Sequence, residues 1–190
     1  MKALEERILK DGKVLPGHVL KVGSFLNHQI DTPFMMEMGK EIARLFEEDK
    51  PDKVLTIEAS GIALGMAAAA AMGLPLVFAK KKKSINVEDD LDSTGVHSYT
   101  HNTDYKVVVS KENLLRGERI LIVDDFLANG CAIRGLMDLV AQAGGTVIGC
   151  TTAIEKGFQG GGDALRREGM KVESLAIVEE MSDHSLTFRG

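Results

Sequence analysis

Two adjacent carboxylates, Asp124 and Asp125, are followed closely by a turn of small residues, Ala128–Gly130. Carboxylate oxygens only accept hydrogen bonds, and the vicinal hydroxyls of a sugar supply the matching donors. A small-residue turn that opens a helix binds anions, because the first helical N–H groups have no carbonyl partner. A ligand with both a diol and a phosphate is a sugar phosphate. The pattern therefore predicts a sugar-phosphate site.

The residues on either side of this pattern predict a strand and a helix that would position it. Ile120–Val123 is a continuous aliphatic run, typical of a parallel strand buried on both faces. We expect Asp124 and Asp125 at the point where this strand leaves the sheet. Apolar residues recur at helical spacing from Cys131 until Gly144. The helix dipole contributes only ~0.3–1 kcal/mol, whereas each hydrogen bond to a charged group contributes ~1.5–3 kcal/mol. Several backbone amides must therefore anchor the phosphate.

The stretch ILIVDDFLANG resembles the phosphoribosyl pyrophosphate (PRPP) signature of type I phosphoribosyltransferases. The resemblance implies that Asp124 and Asp125 are catalytic and hold the ribose hydroxyls. It also implies a phosphate loop that binds the 5′-phosphate and consists of Ala128, Asn129, Gly130, Cys131 and Ala132. Many members have threonine and a second glycine in this loop, so this chain is expected to depend more on backbone amides. The alternative is an ordinary strand end with two solvated aspartates.

A second strand, turn and helix follows the same plan earlier in the chain. Val54–Glu58 is strand-like, and an alanine-rich helix extends to Met72. The turn between them resembles the pyrophosphate loop of the family, which implies PRPP binding by Glu58, Ala59, Ser60 and Gly61. A plain glycine turn is the alternative. Because ligands of open α/β sheets bind beyond the carboxyl ends of the strands, we expect both loops to meet there.

A run of lysines, Lys80–Lys83, follows the strand predicted at Leu76–Ala79. It resembles the start of the flexible catalytic loop of the family, and we take Lys81 as its catalytic residue. A lysine over pyrophosphate would neutralise charge on the leaving group. The polar segment Lys80–His101 is predicted to be a long surface loop. The alternative for the lysines is a solvated charged face.

Residues near both ends of the chain are candidates for the second substrate. Lys156 follows a buried strand and can donate to a 6-oxo purine, and Phe158 could stack on the ring. The signature is most similar to the branch of the family that uses xanthine. By that resemblance Leu20 and Asn27 contact the base from a small hood within residues 1–35. Without it, Lys156 would be a strand-end lysine and Asn27 a polar loop residue.

The order of the predicted elements, strands alternating with helices, indicates an α/β fold. We expect one domain over residues 1–190, with an open, mainly parallel sheet and helices on both faces. The resemblance implies the same type I phosphoribosyltransferase fold. Asp31-Thr32-Pro33 predicts a helix start with Thr32 as the N-cap.

Composition excludes several classes of protein. The net charge of −5 and the pI near 5.6 argue against general nucleic-acid binding. We expect no membrane segment, because no apolar run is long enough to cross a bilayer. The two cysteines and five histidines match no metal-ligand spacing. A cytoplasmic enzyme without its own metal site is the resulting expectation.

The resemblance implies that xanthine and PRPP react to give xanthosine 5′-monophosphate and pyrophosphate in purine salvage. It further implies Mg²⁺ bound through PRPP or pyrophosphate, and a homodimer. A transferase for guanine or hypoxanthine is one alternative. The other is a purine regulator that senses PRPP without catalysis; it would need a basic DNA-binding domain, which we do not expect in an acidic chain of 190 residues.

Overall fold

A computed structural model describes residues 1–82, 90–98 and 103–190. The α-helices are α1 (Lys2–Asp11), α2 (Thr32–Leu45), α3 (Gly61–Met72), α4 (Cys131–Gln142) and α5 (Gly161–Arg167). The strands are β1 (Lys13–Leu15), β2 (Val19–Lys21), β3 (Lys53–Ile57), β4 (Leu76–Lys82), β5 (Leu91–Ser98), β6 (Thr103–Ser110), β7 (Arg119–Leu127), β8 (Thr146–Lys156), β9 (Val172–Met181) and β10 (Leu186–Phe188).

The main sheet has eight strands in the order β10-β9-β8-β7-β3-β4-β6-β5. Its centre is parallel, from β9 through β8, β7 and β3 to β4. Antiparallel strands complete both edges, with β10 on one side and β6 and β5 on the other. The prediction of an open, mainly parallel sheet is confirmed.

Helices cover both faces of the sheet, as the sequence predicts. Alternation along β7 shows the division: Leu121 and Val123 join a core with α1, α2 and α3, whereas Ile120 and Ile122 join a core with α4 and α5. All four of these side chains are buried. The aliphatic run is continuous because both of its faces are covered.

Strand β7 is longer than the sequence predicts, and its expected end at Asp124 is wrong. The strand continues through Asp124 and Asp125 to Leu127, because its backbone stays paired with β8 as far as the register Leu127↔Glu155. Helix α4 then begins at Cys131, as predicted. The acidic pair is therefore held in extended backbone inside the sheet.

The prediction of a long surface loop over Lys80–His101 is wrong for the residues described, most of which lie in strands. Strand β4 extends to Lys82 and pairs with β6, and Leu91–Ser98 forms β5 along the whole of β6. Residues 83–89 and 99–102, which include Lys83, lie outside the described residues. The physical reason is that edge strands bury little of their surface, so they carry a weak apolar pattern.

The cap of α2 also differs from the prediction. Asp31 precedes the helix and its carboxylate accepts the amide of Phe34 at 3.2 Å, whereas Thr32 is the first helical residue. Arg7 donates to the same carboxylate at 2.8 Å. The longer, charged side chain of Asp31 makes both contacts, which lower the pKa of this carboxyl group.

The stretch Val14–Ile30 forms a small N-terminal unit. Strands β1 and β2 pair as an antiparallel hairpin, and a π-helical turn follows at Gly23–Asn27. Gly17 and His18 at the hairpin tip both have positive φ. Among the described residues, no helix is both long and apolar enough to cross a membrane.

Candidate functional site

A cavity of about 480 Å³ opens at the carboxyl ends of β7 and β8. The phosphate loop Ala128–Ala132 forms one wall of it, and Lys156 lies on another. His18, Tyr105 and Phe126 also line it. This volume falls in the ~300–1,000 Å³ range of small-molecule sites. The structure therefore brings the predicted phosphate loop and Lys156 together in one cavity.

The phosphate loop has the geometry of an anion site at a helix start. Gly130 has a φ of 86°, which a residue with a side chain rarely adopts, and it directly precedes α4. The carboxamide Oδ1 of Asn129 accepts the amide of Cys131 at 3.2 Å. The Asn129 oxygen therefore occupies the place where a phosphate oxygen could accept the Cys131 N–H. The Asn129 side chain would have to turn away before a phosphate could accept this hydrogen bond.

The acidic pair is almost completely buried. Asp124 is 5% exposed and Asp125 is 9% exposed. The amide of Asp125 donates to Asp124 Oδ1 at 2.9 Å. Burial, and next the neighbouring Asp125, raise the pKa of Asp124 well above its usual value, while Lys81 acts in the opposite direction. A ligand that donates hydroxyl hydrogen bonds to this carboxylate would offset the burial.

Helix α3 brings the Glu58–Gly61 loop against the acidic pair. A Cβ at Gly61 would lie 2.7 Å from Asp124 Oδ1, so only glycine fits here without displacement. Glu58 Oε1 accepts the backbone amide of Lys81 at 2.6 Å. The predicted ribose and pyrophosphate residues are thus neighbours, and Glu58 ties the lysine strand to them.

Lys81 and Tyr105 form a pair beside the acidic residues. The Lys81 ammonium lies 5.2 Å from the centre of the Tyr105 ring. Burial, followed by the charges of Asp124 and Cys131, raises the pKa of the Tyr105 hydroxyl. Lys81 is therefore held at the edge of the site by strand β4. Tyr105 was not predicted as a site residue. The sequence offered no sign of its role beyond an aromatic residue among polar ones.

Lys156 is held by the N-terminal hairpin. Its ammonium donates to the backbone carbonyl of His18 at 2.9 Å and lies 5.9 Å from the Phe126 ring centre. Burial lowers the pKa of Lys156. The His18 ring packs against Phe158 at 5.3 Å. Sequence reasoning missed His18 and Phe126, although Phe126 directly follows the acidic pair and could have been suspected.

Three residues that the sequence predicts to contact the base are not part of this cavity lining. Asn27 lines a separate depression of about 340 Å³ together with Ala59 and Ser60. Leu20 is buried in the core beneath the hairpin, and Phe158 packs against the same core. Among the described residues, the lining of the cavity around Lys156 includes none of these three. The structure therefore places Asn27 beside the Glu58–Gly61 loop.

The donor set suits a metal that arrives with a ligand. In the described part of the chain, no three His, Cys, Asp or Glu residues are grouped so as to hold an ion. Asp124 and Asp125 offer hard carboxylate oxygens, of the kind that Mg²⁺ prefers. Two carboxylates fit an ion that keeps phosphate and water ligands, and they do not form a cage of their own.

Comparisons with known proteins show similarity to one family. Residues 27–183 match the family described as "Phosphoribosyl transferase domain". The chain is 52% identical to "Xanthine phosphoribosyltransferase 1" of Clostridium perfringens over the full length of both chains. It is also 52% identical to "Xanthine phosphoribosyltransferase" of Bifidobacterium adolescentis, covering 98% of this chain and 97% of that one.

Solved structures show the same fold. The adenine phosphoribosyltransferase of Thermoanaerobacter pseudethanolicus superposes with a TM-score of 0.73 at 24% identity, covering 92% of this chain and 98% of that chain. The Giardia lamblia enzyme, solved in complex with 9-deazaadenine, gives a TM-score of 0.77 at 20% identity, with 92% and 96% covered. At these identities the likeness concerns the fold alone.

Proposed function

The chain belongs to the phosphoribosyltransferase family, and we propose that it transfers a 5-phosphoribosyl group from PRPP to xanthine. The products are xanthosine 5′-monophosphate and pyrophosphate, and the physiological role is purine salvage. Similarity over the full length to xanthine phosphoribosyltransferases supports this assignment. The observation that carries it is the single cavity in which an anion-binding loop faces Lys156, a lysine that can recognise an oxo base.

The donor substrate would bind along the strand ends. We assign the 5′-phosphate to the amides of Ala128–Ala132 and the ribose hydroxyls to Asp124 and Asp125. The pyrophosphate is assigned to the Glu58–Gly61 loop, which adjoins Asp124. Backbone N–H groups at a helix start suit a phosphate, and buried carboxylates suit hydroxyl donors.

The chemical step is a substitution at the anomeric carbon of the ribose. The bond to the pyrophosphate oxygen breaks with its electron pair, a bond to a purine ring nitrogen forms, and that nitrogen loses its proton. Positive charge develops on the ribose ring in the transition state. Asp124 and Asp125 lie beside the ring and stabilise this charge, and Lys81 neutralises the departing pyrophosphate.

Mg²⁺ belongs to this proposal as an ion that would arrive with PRPP or pyrophosphate, and Asp124 and Asp125 are the residues whose carboxylates would hold it. When bound, it supplies charge neutralisation for the leaving group. The same proposal includes a homodimer and reaction in the cytoplasm.

The base would lie between Lys156 and Phe126. The ammonium of Lys156 donates to the 6-oxo group, and the Phe126 ring offers an apolar face. Phe158 supports this wall through the His18 ring, which it contacts. The family resemblance also assigns Asn27 and Leu20 to base selection. Asn27 would approach the base from the side of the Glu58–Gly61 loop.

The test is a comparison of purine bases. Purified protein with Mg²⁺ and PRPP receives xanthine, guanine, hypoxanthine or adenine, and chromatography measures nucleotide and pyrophosphate. We expect xanthosine 5′-monophosphate and pyrophosphate in equal amounts, with the highest kcat/KM for xanthine. No nucleotide from any base would contradict a transferase, and a preference for guanine would contradict the choice of base.

A further inference from the structure

We propose that an ion pair between the buried carboxylate of Glu155 and the partly buried Arg166 positions the phosphate loop Ala128–Ala132 and thereby sets the affinity for the phosphoribosyl donor. The inference rests on the proposed function and adds two positioning residues to it. Neither residue is among the described residues that line the cavity. Their effect on the ligand must therefore pass through the backbone of the loop.

Helix α5 is in direct backbone contact with the phosphate loop. The amide of Gly161 donates to the carbonyl of Ala128 at 3.1 Å. A Cβ at Gly161 would lie 2.6 Å from the backbone nitrogen of Gly130. Because no side chain separates the two backbones, a displacement of α5 must displace the loop.

Glu155, a residue of strand β8, holds α5 in place. Its carboxylate is completely buried, and both of its oxygens bind the Arg166 guanidinium, at 2.8 and 2.6 Å. Ser174 donates to Oε2 at 2.5 Å. A Cβ at Gly162 would lie 2.8 Å from Oε2, so the helix packs directly on the carboxylate. A buried carboxylate without its partner is strongly unfavourable, so Arg166 holds α5 in a single position.

The same strand carries Glu155 and Lys156, but their side chains leave it on opposite faces. Glu155 faces α5, whereas Lys156 reaches the N-terminal hairpin through the carbonyl of His18. The position of Lys156 is set by β8 and by the His18 carbonyl, and neither contact involves the ion pair. Loss of the pair should therefore weaken binding of the phosphate and spare binding of the base.

A second set of contacts holds α5 from its outer side. Arg189 donates to both carboxylate oxygens of Asp163, at 2.8 and 3.0 Å, and Asp163 also accepts from Arg166 at 3.0 Å. The Asp163 side chain is 42% exposed, so solvent screens these contacts. They are weaker than the contacts of Arg166 with the buried Glu155 carboxylate and cannot replace them.

The test uses Glu155→Gln, Arg166→Lys and Arg166→Met in the full-length protein. Calorimetry measures the affinity for ribose 5-phosphate, which carries the phosphate and hydroxyls but cannot react, and steady-state kinetics give KM for PRPP and for xanthine. For Glu155→Gln we expect the ribose 5-phosphate Kd and the PRPP KM to rise about tenfold or more, as for a loop misplaced by a fraction of an ångström. The xanthine KM should change by less than about twofold. Arg166→Lys should be intermediate between the wild type and Arg166→Met, since it retains the charge without the two-pronged geometry.

Glu118→Gln is the matched control, because it breaks the Lys53–Glu118 pair, which is also largely buried, with an N–O distance of 2.7 Å. It should lower stability without changing the ratio of the two KM values. Ser174→Ala removes a single hydrogen bond to Glu155 and gives a milder variant, with a smaller shift in the same direction, if Glu155→Gln fails to fold.

Equal changes in both KM values, or an unchanged ribose 5-phosphate affinity in folded variants, would overturn the proposal. So would the same shift in Glu118→Gln. The calorimetric measurement does not depend on the base, so it decides the role of the ion pair even if xanthine is not the substrate. A wild-type protein that binds no ribose 5-phosphate would overturn both this inference and the proposed function.

Discussion

The carboxylate of Asp124 and the backbone of Gly61 are packed so closely that a Cβ at Gly61 would lie 2.7 Å from Asp124 Oδ1. Asp124 belongs to the central strand β7, and Gly61 begins α3 after the neighbouring strand β3. A strand residue and a helix start that are distant in the sequence are therefore in direct contact. This contact makes the ribose and pyrophosphate subsites of the proposed donor site contiguous.

The first prediction is that Asp124→Asn and Asp125→Asn fold but lose turnover. Each carboxylate is assigned two roles. It accepts a hydrogen bond from a ribose hydroxyl, and it stabilises the positive charge that develops on the ribose ring. A loss of ~3 kcal/mol in the transition state corresponds to a rate about a hundredfold lower. Steady-state kinetics with PRPP and xanthine measure it, with Glu41→Gln as a surface control. Near-normal rates in folded variants would remove the ribose assignment.

Asp124→Asn should also change the pH dependence of stability. Burial raises the pKa of Asp124, so the folded protein holds this proton more tightly than the unfolded chain. The resulting stabilisation is fully present below the ordinary pKa of 3.8 and is lost as the pH rises through the folded pKa. Asparagine does not ionise, so the ligand-free variant should have a Tm equal to or above the wild type at neutral pH. The difference in Tm between the variant and the wild type should become smaller as the pH falls. A Tm of the variant below that of the wild type at neutral pH would contradict this prediction.

Lys81→Ala is expected to lower turnover by a similar factor for every accepted base. The ammonium lies over Tyr105 and its charge acts on Asp124, on the donor side of the site. Lys80→Ala is the matched control, because adjacent strand residues face opposite ways and Lys80 lines a groove with Phe78. Turnover numbers for xanthine and guanine provide the measurement. A defect confined to one base would move Lys81 into the purine pocket.

Central parts of the fold could be predicted because their sequence is governed by local physics. The aliphatic run Ile120–Val123 is covered on both faces, and the carboxyl ends of parallel strands must meet at one edge. Strand β5 gave no such signal. Among the β5 residues whose side chains are described, Val96 is the one buried apolar residue. Polar edge strands and surface loops have similar compositions, so the sequence could not separate them.

The parts of the site that could not be predicted depend on contacts across the chain. His18 reaches Lys156 across 138 positions of sequence, through a backbone carbonyl that carries no side-chain signature. Tyr105 approaches Lys81 only because β6 pairs with β4. The Glu155–Arg166 pair likewise becomes visible only when α5 packs on β8. Residues that follow strand ends could be predicted, and residues that arrive from other elements could not.

Phe126→Ala should weaken the use of xanthine more than Phe158→Ala does. Phe126 lines the cavity, whereas Phe158 packs against the core and the His18 ring. Aromatic contacts contribute ~0.5–1.5 kcal/mol beyond burial, so we expect kcat/KM for xanthine to fall roughly tenfold in Phe126→Ala. Phe158→Ala should mainly lower the Tm. A larger loss of kcat/KM for xanthine in Phe158→Ala than in Phe126→Ala would show that Phe158 stacks on the base.

Lys156 should separate oxo purines from amino purines. Its ammonium only donates, so it matches the 6-oxo group of xanthine, guanine and hypoxanthine and opposes the 6-amino group of adenine. Its positive charge further favours xanthine, which loses a ring proton most readily of these bases. The expected order of kcat/KM is xanthine first, guanine and hypoxanthine well behind, and adenine undetectable.

Lys156→Ala should weaken xanthine use by ~1.5–3 kcal/mol, the value of one charge-assisted hydrogen bond, while the PRPP KM stays close to the wild type. Lys171→Ala is the matched control: Lys171 also donates to a backbone carbonyl, that of Leu45 at 2.9 Å, and its ammonium also lies over a phenylalanine ring, that of Phe46. It belongs to a separate part of the fold, so it should affect stability without changing base choice. Competition kinetics with paired bases measure both variants. Adenine turnover comparable to that of xanthine in the unmodified protein, or unchanged selectivity in Lys156→Ala, would show that another residue reads the base.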